Sequence, residues 1–328
     1  VLKRVIKVRR YKRHHSIDYS YSFGSTANIV NALSGRPGNT KVYTGLRSSL
    51  DMDYPSRIRM FIQRSDAVIA CSKEIRDILK RDYGANNAKL LYNPVDIDLL
   101  SSKAEEPAGD AVSFGDGSAA KDIKRIVLTG REDPAKGYWH MLKAFSVLTK
   151  KAPEARLIIA GAGEFREYKE LAQKLNIAEL VKFTGLLLNP FPCVKSADLY
   201  VLSSVIEGYP NALIEAMALG RPCIAADCRT GPREILLSEA EYNDLAAKHP
   251  ADSISETIRG EYGILVPDMD GTPDLSENIT DEDRYFASEL YRILEDADLL
   301  KNYSKKALER AKEMTPSKYI EELTDILK

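Results

Sequence analysis

Residues 199–220 read LYVLSSVIEGYPNALIEAMALG, and strand, turn and helix follow one another in them. The apolar run Leu199–Leu202 is typical of a buried strand. A glycine then allows a turn, and Pro210 suits the start of a helix, where its missing N–H would have no partner. Two carboxylates, Glu207 and Glu215, stand eight positions apart around this turn. A strand that leads directly into a helix is the repeating unit of a parallel α/β sheet.

The same alternation of strand and helix continues on both sides of this unit. Further strand-like runs lie at 126–128, 156–160, 181–184, 223–226 and 263–267, after a shorter series at 17–23, 41–44, 66–71 and 88–91. Apolar strands joined by helices are typical of parallel sheets that helices cover on both faces. The sequence therefore predicts an α/β protein with two Rossmann-like domains.

Domain boundaries are predicted where the alternation stops. Residues 1–100 form the first domain, which is short for a complete doubly wound domain. Residues 101–123 are rich in Ser, Ala, Gly and acids with almost no large apolar side chain, which predicts a linker. Residues 124–313 form a complete second domain, and residues 314–328 a last helix. The polar segment 238–260 is an excursion from the sheet.

Composition excludes several classes of protein. Lys and Arg number 47 against 48 Asp and Glu, and a net charge of -1 does not indicate nucleic acid as a partner. No apolar run approaches the roughly 20 residues that cross a bilayer. The four cysteines are scattered through apolar runs, which predicts reduced thiols and a cytoplasmic protein. They are Cys71, Cys193, Cys223 and Cys228.

The first residues predict a basic helix. Residues 3–13 hold seven Lys or Arg and no acid, and apolar residues recur among them at helical spacing. Two interpretations stay open: contact with anionic lipid on the inner face of the plasma membrane, or the solvated face of a helix packed on a sheet.

Residues suited to a diphosphate follow the first two strands of the second domain. Arg131 and Lys136 stand one loop apart after the strand at 126–128, where they either bind phosphate or are surface charges. Gly161-Ala162-Gly163 would let a backbone approach a ligand closely. The dinucleotide fingerprint is incomplete, because Arg166 stands where its third glycine belongs.

The turn at Glu207 offers complementary chemistry. A carboxylate accepts two hydrogen bonds from a vicinal diol, so Glu207 and Glu215 together can hold a ribose and a hexose. The N–H groups of Asn211, Ala212 and Leu213 would form the positive end of a helix. Glu215 could instead be solvated. Its neighbours in the helix are apolar, however, and a charge among apolar side chains costs free energy unless it is paired.

Glu-x7-Glu within residues 203–222 resembles the donor-site signature of the retaining glycosyltransferases of family 4, which have the GT-B fold. The motif TGPREI at 230–235 resembles a subset that builds bacterial cell-surface polysaccharides. Other motifs that match the family in order are NPVD at 93–96, TGR at 129–131, KG at 136–137, GAGE at 161–164 and FTG at 183–185.

The resemblance implies two Rossmann-like domains with parallel sheets facing across a cleft, the first domain being the acceptor side. It implies a hexosyltransferase that moves a hexose from a nucleoside-diphosphate sugar, most often UDP-linked, to a glycan or lipid-linked acceptor. Transfer would retain the anomeric configuration and need no metal ion or other cofactor. The pathway would be cell-surface polysaccharide or glycolipid biosynthesis, and the last helix would cross back to the first domain.

The resemblance also implies roles for residues. Arg131 and Lys136 would stabilise the leaving diphosphate, and Glu207 would contact the donor sugar. Glu215 would hold the ribose, and Arg47 would lie on the acceptor side. The other donor-binding positions would be Gly130, Gly161, Gly163, Phe183, Gly185, Gly208, Tyr209, Pro210, Asn211, Ala212 and Leu213.

The chain departs from the family at its start. Family members open with a strand and a Gly-rich loop, and neither precedes Val1. The resemblance therefore implies an N-terminally truncated first domain. Three alternatives stay open. The protein could be a nucleotide-sugar epimerase of the same fold, a hydrolase of the same fold, or a non-catalytic remnant that binds sugar nucleotides. A nicotinamide-dependent oxidoreductase is disfavoured, because no acidic residue follows the second strand of a Gly-rich unit.

Overall fold

The structure, a computed structural model, describes residues 1–114, 123–248 and 253–328. Its first sheet contains, in hydrogen-bonded order, β1 (Tyr19–Phe23), β2 (Lys41–Leu46), β3 (Ala67–Ala70) and β4 (Ala88–Leu90). The second contains β5 (Lys124–Thr129), β6 (Ala155–Ala160), β7 (Val181–Gly185), β8 (Leu199–Leu202), β9 (Cys223–Ala226), β10 (Ile258–Arg259) and β11 (Ile264–Val266). The helices of the described residues are α1 (Leu2–His14), α2 (Ser25–Ser34), α3 (Pro55–Arg64), α4 (Lys73–Tyr83), α5 (Ile97–Ala104), α6 (Tyr138–Leu148), α7 (Arg166–Lys174), α8 (Phe191–Lys195), α9 (Asn211–Ala218), α10 (Pro232–Leu236), α11 (Glu239–Lys248), α12 (Asp281–Glu295), α13 (Ala297–Ala311) and α14 (Pro316–Leu327).

The strand order of the second sheet indicates where a ligand crevice lies. It runs β10-β11-β9-β8-β5-β6-β7, and its neighbours are parallel except for β10 and β11. The chain leaves β5 toward β6 and β7, then returns to add β8 and β9 on the other side. Strand order therefore reverses between β5 and β8, and such a reversal opens a crevice at the carboxyl ends of the strands. This doubly wound α/β arrangement confirms the predicted fold class.

The two domains are in contact along one side. Buried apolar side chains from both form one cluster, in which Tyr92 stacks on Tyr209 with ring centroids 4.8 Å apart. Helix α14 lies against the first sheet, where the hydroxyl of Tyr43 donates to the carbonyl of Leu327 at 3.1 Å. The last helix thus returns to the first domain.

The predicted linker, residues 101–123, begins inside a helix. Leu100 and Ala104 of α5 are buried, at 7 % and 5 % exposed, so residues 101–104 are ordered against the core. The sequence did not indicate this helix as part of the core, because residues 101–103 are polar and only Ala104 follows them as an apolar residue. A 3-10 turn follows at Gly109–Val112, and residues 115–122 of the predicted linker lie outside the described residues.

The excursion predicted at 238–260 contains α11 and the short strand β10. Residues 249–252 of it lie outside the described residues. Beyond it, the chain continues into β11 and the helices α12, α13 and α14.

The basic helix α1 packs against α2 rather than directly on a sheet. Lys12 is buried there, and its ammonium donates to the side-chain oxygen of Asn31 at 2.6 Å. The opposite face of α1 is exposed and carries Leu2 and Ile6 among the cations. None of the helices in the described part of the chain is both long and apolar enough to cross a bilayer. All four cysteines are buried and unbridged.

Candidate active site

A lysine and a glutamate meet where the strand order reverses. Lys136 ends a 3-10 turn after β5, and Glu207 lies in the turn between β8 and α9. The Lys136 ammonium lies 2.7 Å from Oε1 of Glu207, and the two side chains are 23 % and 11 % exposed. A pair this shielded from water is stronger than a surface ion pair, and a ligand entering the crevice would meet both charges.

The backbones of the two turns hold this pair in place. The hydroxyl of Ser203 donates to the carbonyl of Lys136 at 2.9 Å, and the N–H of Val205 donates to the carbonyl of Ala135 at 3.0 Å. Gly137 has a positive φ of 60°, and a Cβ there would lie 2.1 Å from the carbonyl oxygen of Ser203. Only glycine fits this contact, so the ends of β5 and β8 are fixed side by side.

Arg131 lies at the same edge but turns to another partner. Its side chain is 75 % exposed and contacts a carboxylate oxygen of Asp133 at 2.7 Å. Burial is the largest single influence and opposes the ionisation of Asp133. The hydrogen bonds from Arg131 and from the N–H of Ala135, with the charges of Arg131 and Lys136, together outweigh it and lower the pKa of that carboxyl. Both cations were predicted to bind the same diphosphate, whereas in the structure only Lys136 of the two contacts Glu207 and Arg131 pairs with Asp133.

Glu215 lies in the second turn of α9, and burial raises the pKa of its carboxyl. It accepts no hydrogen bond from any residue that the structure describes. Its side chain lines a cavity of about 100 Å³ with residues 94–96, Leu100 and Asn211. A carboxylate without a partner, facing an open cavity, is suited to accept hydrogen bonds from a polar ligand.

The start of α9 differs in two ways from the prediction. Pro210 is the N-cap and the helix begins at Asn211, whose side-chain oxygen accepts from Nδ2 of Asn93 at 2.5 Å. The N–H of Leu213 was expected to be free for a ligand, but it donates to the carbonyl of Pro210 at 3.1 Å. At most the N–H groups of Asn211 and Ala212 stay available at this helix end.

The ring of Tyr209 is not in the crevice. It is 5 % exposed, stacks on Tyr92 and donates its hydroxyl to the sulfur of Met314 at 3.4 Å. The predicted donor position at Tyr209 is therefore limited to its backbone.

The neighbouring Gly208 lies against the first domain, where a Cβ would be 2.0 Å from the carbonyl oxygen of Arg47. The guanidinium of Arg47 lies 5.0 Å from the ring centre of Phe23.

Glycines bring the ends of three strands together. A Cβ at Gly161 would lie 1.8 Å from the carbonyl oxygen of Gly130, and the N–H of Gly161 donates to the carbonyl of Gly185 at 3.1 Å. A Cβ at Gly163 would lie 2.3 Å from Cβ of Glu132. Phe183 packs its ring on Phe165 at 5.4 Å between centroids. The predicted glycine positions thus lie on one edge, where backbone is exposed to the crevice.

Sequence reasoning missed three polar residues that support the site. Ser203 binds the carbonyl of Lys136, Thr230 donates its hydroxyl to the carbonyl of Glu207 at 2.6 Å, and Glu132 accepts from the N–H of Phe165 at 2.9 Å. All three lie in loops that follow the carboxyl ends of strands: Ser203 after β8, Thr230 after β9 and Glu132 after β5. That position is the signal by which a sequence could have indicated them.

Within the described ranges, no three His, Cys, Asp or Glu side chains are grouped as a metal ion requires. That the reaction needs no metal or other cofactor stays a prediction.

Comparison with known proteins assigns the chain to a family. The sequence model for glycosyl transferases group 1 matches residues 123–281. An uncharacterised glycosyltransferase of Methanocaldococcus jannaschii is 31 % identical over 98 % of this chain and 82 % of that protein. A Campylobacter jejuni enzyme named N-acetylgalactosamine-N,N'-diacetylbacillosaminyl-diphospho-undecaprenol 4-alpha-N-acetylgalactosaminyltransferase is 24 % identical over 94 % of this chain and 75 % of its own.

Solved structures agree on the fold. The crystal structure of Anabaena HepE in complex with UDP superimposes with a TM-score of 0.74 and 20 % identity, over 98 % of this chain and 81 % of that one. Sucrose-phosphate synthase from Thermosynechococcus elongatus gives 0.73 and 20 % over 98 % and 76 %. This chain is 31 % identical to the Methanocaldococcus relative over 98 % of its own residues, and its two Rossmann-like sheets are parallel except for β10. It therefore belongs to the group 1 glycosyltransferases and has the GT-B fold.

Proposed function

We propose that this glycosyltransferase moves a hexose from a UDP-sugar to a glycan or lipid-linked acceptor, with retained anomeric configuration, as a member of family 4. The observation that carries the proposal is the shielded pair of Lys136 and Glu207 at the crevice where the strand order reverses. A diphosphate needs a cation and a hexose needs a hydrogen-bond acceptor, and this pair supplies both within one contact.

The roles follow from the chemistry of each side chain. Lys136, with Arg131 turning inward from Asp133, stabilises the negative charge that develops on the leaving UDP, a task that a metal ion performs in other transferases. Glu207 accepts hydrogen bonds from the hexose hydroxyls. Glu215, which accepts no hydrogen bond from the described residues, accepts them from the ribose. No metal takes part in this proposal.

The names of similar proteins support the donor and acceptor classes. Anabaena HepE has been crystallised in complex with UDP-glucose as well as UDP. The Campylobacter relative is named for a diphospho-undecaprenol acceptor. A Salmonella typhimurium lipopolysaccharide 1,6-galactosyltransferase is 29 % identical over 61 % of this chain and 54 % of its own. We infer a role in cell-surface polysaccharide or glycolipid biosynthesis.

A lipid-linked acceptor suits the exposed face of α1. Leu2 is 72 % exposed and Ile6 45 %, on a helix whose residues 3–13 include seven cations. Apolar side chains among cations are typical of a helix lying on an anionic membrane surface. The proposal therefore places the enzyme in the cytoplasm, peripherally on the inner face of the plasma membrane.

Dependence of donor turnover on an acceptor tests the proposed function. The protein is incubated with UDP-glucose, UDP-galactose and their N-acetylamino forms, each with and without polyprenyl-diphosphate-linked sugars. We expect one pair to release UDP at least about tenfold faster with acceptor, a difference of about 1.4 kcal/mol in activation free energy. The anomeric signal of the product in NMR should match that of the donor.

Three other results would contradict transfer, each in its own way. UDP release at the same rate without acceptor, together with free sugar, would indicate a hydrolase. A donor that changes its sugar without releasing UDP would indicate an epimerase. Binding of UDP without any turnover would indicate a non-catalytic binding protein.

A further inference from the structure

The first domain contacts the turn that carries Glu207 through its backbone. The N–H of Ser49 donates to the carbonyl of Glu207 at 3.2 Å. The same carbonyl accepts the hydroxyl of Thr230 at 2.6 Å from the second domain. The peptide unit of Glu207 is therefore held from both domains at once.

The next residue leaves no space between the two backbones. A Cβ at Gly208 would lie 2.0 Å from the carbonyl oxygen of Arg47 and 2.9 Å from Cα of Ser48. Both distances are too short for any side chain, so the Arg47–Ser49 segment fits against the Glu207 turn only because residue 208 is glycine. The contact is an extended close fit, of which the hydrogen bond from Ser49 is one part.

Asp51 fixes the segment that makes this contact. Its Oδ2 accepts from the N–H of Arg47 at 3.0 Å and of Ser48 at 3.3 Å. Its Oδ1 accepts from the hydroxyl of Ser25 at 3.1 Å. Ser48 and Asp51 form a capping box at the start of the 3-10 helix Ser49–Asp53, which aims the N–H of Ser49 outward.

Rotation of the Glu207 peptide would move the carboxylate that pairs with Lys136. The carbonyl that is held and the carboxylate belong to the same residue, Glu207. Oε1 of this carboxylate lies 2.7 Å from the Lys136 ammonium. A shift of about 1 Å in a catalytic group is enough to cost a large part of the rate. A contact that fixes this peptide therefore acts on the geometry of the site.

We propose that residues 47–51 are a positioning element for the transfer reaction, in which Ser49 fixes Glu207 through its N–H and Asp51 holds that N–H in place. This role rests on the proposed function for its effect on catalysis. In this proposal, the carboxylate of Glu207 is correctly positioned for the donor sugar only when the two domains are in contact. Binding of the UDP part, whose proposed ligands Lys136 and Glu215 belong to the second domain, does not need the contact between Ser49 and Glu207.

The variants Ser49→Pro and Ser49→Ala separate this role from general stability. Proline removes the N–H, and it is well tolerated at the first residue of a helix. Ser48, with φ of -149° and ψ of 149°, already has the extended conformation that a residue before proline adopts. Alanine keeps the N–H and removes only the hydroxyl, so it is the matched control.

Three measurements are compared among wild type and both variants. They are hydrogen exchange of peptides covering residues 203–214, the affinity for UDP, and the rate of hydrolysis of the fastest of UDP-glucose, UDP-galactose and UDP-N-acetylglucosamine. In Ser49→Pro we expect faster exchange and a rate about tenfold lower, with UDP affinity within about twofold. Ser49→Ala should match wild type.

The design separates failure of this role from failure of the proposed function. If Ser49→Pro and Ser49→Ala behave alike in exchange, the contact does not hold the turn. If exchange rises in Ser49→Pro but hydrolysis does not fall, the contact has no positioning role. Lack of UDP binding by wild type would instead contradict the proposed function. Hydrogen exchange would still show whether the contact between Ser49 and Glu207 holds the turn.

A second pair of variants tests the part of Asp51. Asp51→Asn replaces one of the accepting oxygens by an NH2 group, and we expect it to behave as Ser49→Pro does. Asp53→Asn is the control, because Asp53 is exposed and forms no hydrogen bond or ion pair with the residues that the structure describes. Equal effects of both substitutions would contradict a specific role for Asp51.

Discussion

Lys136→Ala is expected to reduce the turnover of a UDP-sugar by about 100- to 1,000-fold, the usual cost of removing one group that stabilises charge in a transition state. The substitution removes the ammonium that lies 2.7 Å from Glu207 and leaves that carboxylate, 11 % exposed, without its cation. Both the leaving diphosphate and the position of Glu207 lose support. Steady-state rates with donor at saturation measure the effect.

Two further variants show whether the position of this charge matters. Lys174→Ala removes an exposed cation from α7 and should leave turnover unchanged. Lys136→Arg keeps the charge with a different geometry and should recover part of the rate. A thermal melt near that of wild type would show that Lys136→Ala is folded. Turnover within about threefold of wild type would contradict the role given to Lys136.

Gly161→Ala is expected to have the largest effect on stability among the glycine positions of the site. Its Cβ would lie 1.8 Å from the carbonyl oxygen of Gly130 and 2.4 Å from its carbonyl carbon, both of them backbone atoms that cannot turn away. The ends of β5 and β6 must separate, at a cost of about 1–3 kcal/mol. For a domain of this size that lowers Tm by about 2–4 °C for each kcal/mol.

Separation of these strand ends should also weaken UDP binding, since Gly130 is followed by Arg131. Gly271→Ala is the matched control, because its Cβ would have only a side-chain carbon of Val205 at 4.0 Å. Calorimetric melts of both variants measure the difference. Equal Tm values for Gly161→Ala and Gly271→Ala would contradict the close contact at the strand ends.

The sequence predicts the two sheets well, because most strands are continuous apolar runs. Leu199–Leu202 is fully buried, as its pattern indicates. The short helix α5 and the two-residue strand β10 were missed. Their few buried positions are set by tertiary contacts, and local composition does not record such contacts.

The candidate site was predictable where it depends on strand order. Lys136 and Glu207 are 71 residues apart, yet each follows a strand at the point where the sheet reverses, so their proximity follows from topology. The direction of individual side chains was not predictable. The ring of Tyr209 turns to Tyr92 and Arg131 turns to Asp133 because of local partners.

The docking of the two domains was the least accessible feature. The contact between Ser49 and the Glu207 turn joins parts of the chain that share no strand or helix, and nothing in the pattern of residues 47–51 indicates it. A glycine at residue 208 is explained equally well by a tight turn. Only the distance from Gly208 to the carbonyl of Arg47 reveals the second reason.

Isothermal titration of UDP into the wild-type protein tests the central claim most directly. We expect saturable binding at one site, weakened at least about tenfold, or 1.4 kcal/mol, in Lys136→Ala and in Glu215→Ala. The Lys174→Ala protein should bind as wild type does. Absence of UDP binding by the wild type, or the same affinity in all four proteins, would contradict the assignment of a UDP-sugar site to this crevice.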